Sequence, residues 1–275
     1  MTDAQTRALE LAGRVQYFTL AQTLKRGIWA SETTARRHIR NLVDRGLLAE
    51  HNYGVQVGVG RLPTLYGLTP AGVRYLVDYE CHDPDTIKSS KSNRNQEYEV
   101  KAPRDYHHRV GTIDALLALY DHLDRVGASR IFSELYFRKY GMHQPKRTSI
   151  ELATGERVEP DAILHFWDEN GRERLYLIEL YEDSTEVERV RRSLNRHAQA
   201  IAEGSPSIAR GAKVGHRVLL IFRHDHTARA VMQYLVSVPT LAGVLDRFLF
   251  ATLDAMTADP FSDWADAKKH KKNLY

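Results

Sequence analysis

Two carboxylates fall in segments that read as adjacent strands: Asp161 within 158–166 and Glu179 within 175–181. The gap between the segments contains Asp168-Glu169-Asn170-Gly171, a good hairpin turn. Such a hairpin delivers both acids to one end of a sheet, where they repel unless a cation sits between them. A hard divalent ion such as Mg²⁺ prefers an oxygen site of that kind and can activate a water for attack on a phosphodiester. The same pattern also describes a plain hairpin whose buried acid is satisfied by an arginine.

The chain that must position these acids has 275 residues, enough for one small domain and one of ordinary size. Its 43% hydrophobic and 27% charged content is that of a soluble globular protein. Cys81 is the single cysteine, which excludes an intrachain disulfide and a cysteine-based zinc site. There is no basic n-region with an apolar run behind it, and no apolar stretch near the roughly 20 residues of a membrane helix. A cytoplasmic protein without a membrane segment is expected. Up to Asp78 there are ten Lys/Arg against six Asp/Glu, an excess equal to the whole net charge of +4. The N-terminal segment is therefore the part suited to a polyanion.

That segment reads as helix, short helix, capped helix, two-stranded hairpin, helix. Ala8, Leu9, Leu11, Ala12 and Val15 have helical spacing. Residues 18–24 read as a short second helix. Ser31 is an N-cap for a helix over 33–45, with Ala35, Ile39 and Leu42 inward and Gly46 ending it. A strand then leads into a glycine-rich hairpin carrying Arg61, and Pro70 opens a last helix. This order resembles the winged helix-turn-helix of bacterial DNA-binding proteins. The resemblance implies that Thr34, Arg36, Arg37 and Arg40 face double-stranded DNA, at base edges or phosphates, with Arg61 on the minor groove or backbone. A winged helix used only for protein contacts is the alternative.

The division expected is a winged helix over 1–80, a polar linker over 81–104, a second domain over 105–256 and a basic tail over 257–275. In the second domain a helix over 106–126 precedes a strand over 131–137 that contains Glu134. Residues 138–156 read as a loop. The two acid-bearing strands follow, then a helix to 203 with Arg189, Arg192 and Arg196 on one face. A buried strand over 217–222 and helices over 227–235 and 241–253 complete it. The tail, Lys268-Lys269-His270-Lys271-Lys272, reads as a solvated, disordered end that adds nonspecific phosphate affinity.

Helix, three strands, helix, strand is the core order of the PD-(D/E)XK nuclease fold, with Pro160-Asp161 and Glu179 where that fold puts its motif. The fold class expected is thus α+β/α/β in two domains. The winged helix, Tyr106-His107-His108, Glu134, Pro160-Asp161-Ala162, Glu179 and the arginine-rich helix together resemble the replication-relaxation family, related to MobC-class conjugative relaxases. The resemblance implies a protein of a plasmid, phage or integrative element, acting in replication or mobilisation by nicking DNA at an origin or operator. It also implies Mg²⁺ or Mn²⁺ on Asp161, Glu179 and Glu134. A homodimer would suit a winged-helix protein.

Several assignments stay open. Glu134 is either a third acidic ligand or an ion-pair partner. His107 and His108 either hold a metal, a proton or a phosphate, or are polar residues at a helix start. Tyr181 stands where the nuclease motif has lysine; it can donate a hydrogen bond or serve as a nucleophile, but brings no positive charge. That departure sustains the alternative of an inactive nuclease fold serving as a DNA-binding accessory or regulator. His224-Asp225-His226 reads as a turn.

Overall fold

Threonine caps and apolar stripes build the first elements. Helix α1 (Asp3–Val15) begins at a reciprocal box in which Gln5 N–H donates to Thr2 Oγ1 and Thr2 N–H donates to Gln5 Oε1. Thr19 and Gln22 repeat the device at α2 (Leu20–Lys25). Phe18 and Thr19, expected to open that helix, instead form a short strand, β1 (Phe18–Thr19), with both residues buried. Helix α3 (Glu32–Asp44) is capped by Ser31 and buries Ala35, Ile39 and Leu42. Its chain reverses at Gly46, whose φ of +68° is open to glycine at little cost.

A sheet of β2 (Leu48–His51), β5 (Leu65–Leu68) and β1 follows, in the order β1-β5-β2. Between β2 and β5 a separate hairpin pairs β3 (Val55–Gln56) with β4 (Gly60–Arg61). Helix α4 (Pro70–Glu80) then packs on α1 and β5 and passes close to Leu47, just before β2. A Cβ on Gly72 would stand 2.2 Å from the Leu47 carbonyl oxygen and 3.0 Å from a Leu68 methyl. Backbone cannot yield as a side-chain tip does, so Gly72→Ala is expected to cost about 3 kcal/mol, within the range for overpacked sites. A urea melt of the intact chain measures it; an unchanged midpoint would refute the close approach.

The computed structural model describes residues 1–56, 58, 60–80, 82, 87, 104–137, 145–182 and 187–275. They divide into two compact units, Met1–Ile113 and Asp114–Tyr275, so the division falls inside α5 (Arg104–Arg125). Most of the segment read as a linker lies outside the described residues, as do residues 183–186.

The second unit is a seven-stranded sheet in the order β14 (Lys271–Lys272), β13 (Trp264–Ala265), β12 (Phe248–Thr252), β11 (Arg217–Phe222), β10 (Glu173–Tyr181), β9 (Ala162–Trp167), β6 (Ser129–Leu135). Strands β6 (Ser129–Leu135), β9 (Ala162–Trp167) and β10 (Glu173–Tyr181) run antiparallel to one another in turn. Helix α6 (Val187–Glu203) then crosses to β11 (Arg217–Phe222), which lies parallel to β10. Val190, Leu194 and Ala198 of α6 pack on Tyr181, Val218, Leu220 and Phe222. Burying a side chain such as Leu194 contributes about 2 kcal/mol. Alternation along β10 puts Leu177, Glu179 and Tyr181 on this same α6-covered face.

Three further expectations are corrected. The segment 138–156 is not all loop, because β7 (Ile150–Glu151) pairs with β8 (Arg157–Val158). The helix expected over 241–253 is a 3₁₀ helix (Pro239–Arg247) followed by β12 (Phe248–Thr252), a strand parallel to β11. Helix α8 (Asp225–Ser237) precedes it; α7 (Ser205–Arg210) and α9 (Leu253–Ala258) are short. The basic tail is folded: β13 (Trp264–Ala265) and β14 (Lys271–Lys272) extend the sheet. Trp264 and Leu274 anchor it at 2% and 0% exposure. The Asp266 carboxylate holds the turn between these strands, accepting from the Lys268 and His270 N–H groups. No helix among the described residues is long and apolar enough to cross a membrane.

Candidate active site

Asp161 immediately precedes β9, and its backbone N–H donates to the Ile178 carbonyl at 2.9 Å. Ala162 is registered with Ile178, so Asp161, one residue outside β9, stands against the stretch of β10 that carries Glu179. Both residues are nearly buried, at 8% and 9% exposure. The Leu180 N–H donates to Asp161 Oδ2 at 2.8 Å. The strand expected over 158–166 begins only at Ala162, so Asp161 lies just before β9 while Glu179 lies within β10. The turn that joins their strands is organised as its residues imply. Asp168 Oδ1 accepts from the Asn170 and Arg172 N–H groups, and Gly171 adopts a φ of +71°.

Helix α6 supplies two partners that spacing did not single out. His197 Nε2 lies 2.6 Å from Glu179 Oε1, and Ser193 Oγ donates to the same oxygen at 3.5 Å. Tyr181 donates its hydroxyl to Ser193 Oγ at 3.2 Å and stacks on Phe222. Burial first, then the Glu179 carboxylate, hold the Tyr181 phenol well above its usual range, so it keeps its proton.

His197 has no exposed surface, and burial pushes it down to about 3 against the pull of Asp161. Its Nδ1 has no hydrogen-bond partner among the described residues. His216 is likewise buried, at 1% exposure, and pushed down to about 3, by burial first and then by His197 and Arg247. An unfolded histidine titrates near 6.5. Between that value and 3 the unfolded chain binds a proton that the folded chain refuses, so stability falls as pH falls through this window. The slope is about 1.4 kcal/mol per pH unit for each such histidine. Urea midpoints taken from pH 7 to pH 4 are expected to fall less steeply in His216→Leu than in wild type. Parallel curves would show that His216 is charged in the folded state.

Glu134, on β6, is registered with Ile163, and its Oε2 lies 3.5 Å from Arg147 Nη1. His107 belongs to the first unit, where its ring meets Tyr106 edge-on at 5.4 Å. His224 precedes α8 and Asp225 pairs with Arg229 at its start. Among the described residues no group of three or more His, Cys, Asp or Glu side chains could hold a metal ion. The donor set at the acid pair is two carboxylates. Mg²⁺ is commonly bound by one or two carboxylates with waters and substrate oxygens, so this set fits it.

In the first unit, α3 turns Arg36, Arg37 and Arg40 to solvent. Arg36 Nε donates to Glu32 at 2.8 Å. Arg37 and Arg40 form no ion pair with another described residue. Thr34 is tied into the cap: its N–H donates to Ser31 Oγ at 3.3 Å. Arg61 is exposed on β4, opposite Val55.

The class defined by these features is a mixed α and β protein of two units, one with an arginine-bearing helix face and one with a carboxylate pair at a sheet end. Residues 9–213 match the family model described as replication-relaxation, well over half the chain, and the chain belongs to that family. Membership ties it to the replication or mobilisation of mobile elements. No curated protein and no solved structure matches it.

Proposed function

We propose that the chain binds duplex DNA of a mobile element through its first unit and nicks it at the carboxylate pair of its second. The observation that carries this reading is that Asp161, nearly buried, bonds through its backbone to Ile178 and through its carboxylate to the Leu180 N–H, the two residues that flank the nearly buried Glu179. Two carboxylates so placed are costly unless a cation is shared between them. The element order of the first unit, with its hairpin after α3, supports a winged helix. Helix, three antiparallel strands, crossover helix and parallel strand support a PD-(D/E)XK-like second unit, the fold that would relate the chain to MobC-class relaxases.

Asp161 and Glu179 are the residues that would hold Mg²⁺ or Mn²⁺. A divalent cation there would supply charge stabilisation at the phosphate and a water of lowered pKa. The Leu180 N–H fixes the Asp161 carboxylate. Arg189 and Arg192, exposed on α6, hold the DNA phosphates and offset the positive charge that Tyr181 lacks. In this reading Tyr181 acts through its hydrogen bond to Ser193.

Supercoiled plasmid incubated with the intact chain and Mn²⁺ or Mg²⁺ tests the proposal. Open-circular product is expected with the metal and not after chelation. DNA binding without nicking would favour a second reading, a DNA-binding accessory protein on a nuclease-like fold. The observation on its side is Tyr181, a buried phenol where the nuclease motif places lysine.

A further inference from the structure

Glu179 is held from above by α6. Two donors converge on its Oε1: His197 Nε2 at 2.6 Å and Ser193 Oγ at 3.5 Å, the latter itself accepting from Tyr181 at 3.2 Å. The histidine contact is the shorter and the more buried. Against a carboxylate acceptor the ring nitrogen must carry the hydrogen, so Nε2 is the protonated nitrogen. The other nitrogen, Nδ1, is buried with no hydrogen-bond partner among the described residues. A hydrogen on Nδ1 would be a donor sealed from water with no acceptor, so the surroundings select the Nε2–H tautomer.

We propose that His197 is the positioning residue of the acid pair: its Nε2–H fixes the orientation in which the Glu179 carboxylate meets a divalent cation. The inference rests on the metal-binding reading of Asp161 and Glu179. His197 does not touch substrate; it acts through Glu179, as hydrogen-bonded groups behind ligating carboxylates do. Ser193 completes the same arrangement, and Tyr181 orients Ser193. The lysine position of the nuclease motif is thereby used to brace the ligand rather than to contact DNA.

The test uses the intact chain, Mn²⁺ alone and no DNA. Mn²⁺ affinity is measured by titration calorimetry for wild type, His197→Leu and His197→Gln, with circular dichroism confirming that each is folded. The leucine keeps the volume and removes the donor; the glutamine amide restores a donor at the Nε2 position. His197→Leu is expected to weaken Mn²⁺ binding about 10- to 100-fold, and His197→Gln to recover most of it. In metal-free wild type, ¹⁵N spectra of the imidazoles are expected to show the hydrogen of His197 on Nε2. Wild-type affinity in His197→Leu, or a hydrogen on Nδ1, overturns the proposal. If wild type binds no Mn²⁺, the metal reading itself fails and the role of His197 with it. The tautomer then reports separately on whether His197 holds Glu179. If neither variant folds, the wild-type tautomer decides.

Discussion

Asp161→Asn is expected to fold like wild type and to lose nicking, whereas Asp161→Ala is expected to lose stability as well. The difference comes from one buried hydrogen bond. Asp161 Oδ2 accepts from the Leu180 N–H at 2.8 Å, at the start of β9. The asparagine carbonyl oxygen can take that hydrogen, so the strand pairing survives. Alanine leaves the Leu180 N–H buried without an acceptor, a cost of about 1–3 kcal/mol. The negative charge is absent in both variants. If Asp161 is a cation ligand, nicking of supercoiled DNA falls by about two orders of magnitude or more in each. Urea melts and the plasmid assay, run on the same preparations, separate the two effects. An Asp161→Asn protein that nicks at the wild-type rate would remove Asp161 from the chemistry.

The second large effect lies in the first unit. Arg37→Glu combined with Arg40→Glu is expected to weaken duplex DNA binding about 100-fold at moderate salt. Both side chains are exposed on α3, and neither is paired with another described residue. Exposed substitutions of this sort change stability little. Each phosphate that the protein no longer neutralises lowers the slope of log affinity against log salt by about 0.9, so the slope should fall by about two. Fluorescence anisotropy with labelled duplex over a series of NaCl concentrations measures both quantities. Arg36→Ala should matter less, because Arg36 is already engaged by Glu32 one turn away. Unchanged affinity and slope in the double variant would exclude α3 as the DNA-facing element.

The acid pair was legible because its signals are local. Each carboxylate sits in a short apolar run, and the turn between the runs has the residues a hairpin needs. His197 and Ser193 were harder to read, since a polar residue within an arginine-rich helix looks like solvated surface. A signal was nevertheless present. Ser193 follows Val190 by three, and His197 follows Leu194 by three and precedes Ile201 by four, which puts both along the inward stripe of α6. A histidine on an apolar stripe, opposite a strand carrying a buried glutamate, is a candidate partner for that acid.

The errors in the fold have a common physical source. The run Phe248-Leu249-Phe250-Ala251-Thr252 is short and almost wholly apolar, and such runs fit a buried strand or a buried helix equally well. Pairing with β11 settles it, and that pairing depends on residues about thirty positions away. The lysines near residue 270 carry the visible charge of the tail, but Trp264 and Leu274 on either side are its buried anchors. Asp266, bonded to two backbone N–H groups, supplies the turn that lets those anchors be reached. Charge composition describes solubility; it does not say whether flanking apolar residues find a surface to cover.

The last strand has a consequence for how molecules of this protein meet one another. One border of the seven-stranded sheet is β14, only two residues long, and both are exposed lysines. A short border strand bearing like charges is a poor template for another chain, since a second copy would bring its own lysines alongside. Behind it lie β12 and β11, longer and almost wholly apolar. The lysine-rich segment thus acts as a guard on the sheet, separating an aggregation-prone apolar core from neighbouring molecules in a concentrated solution.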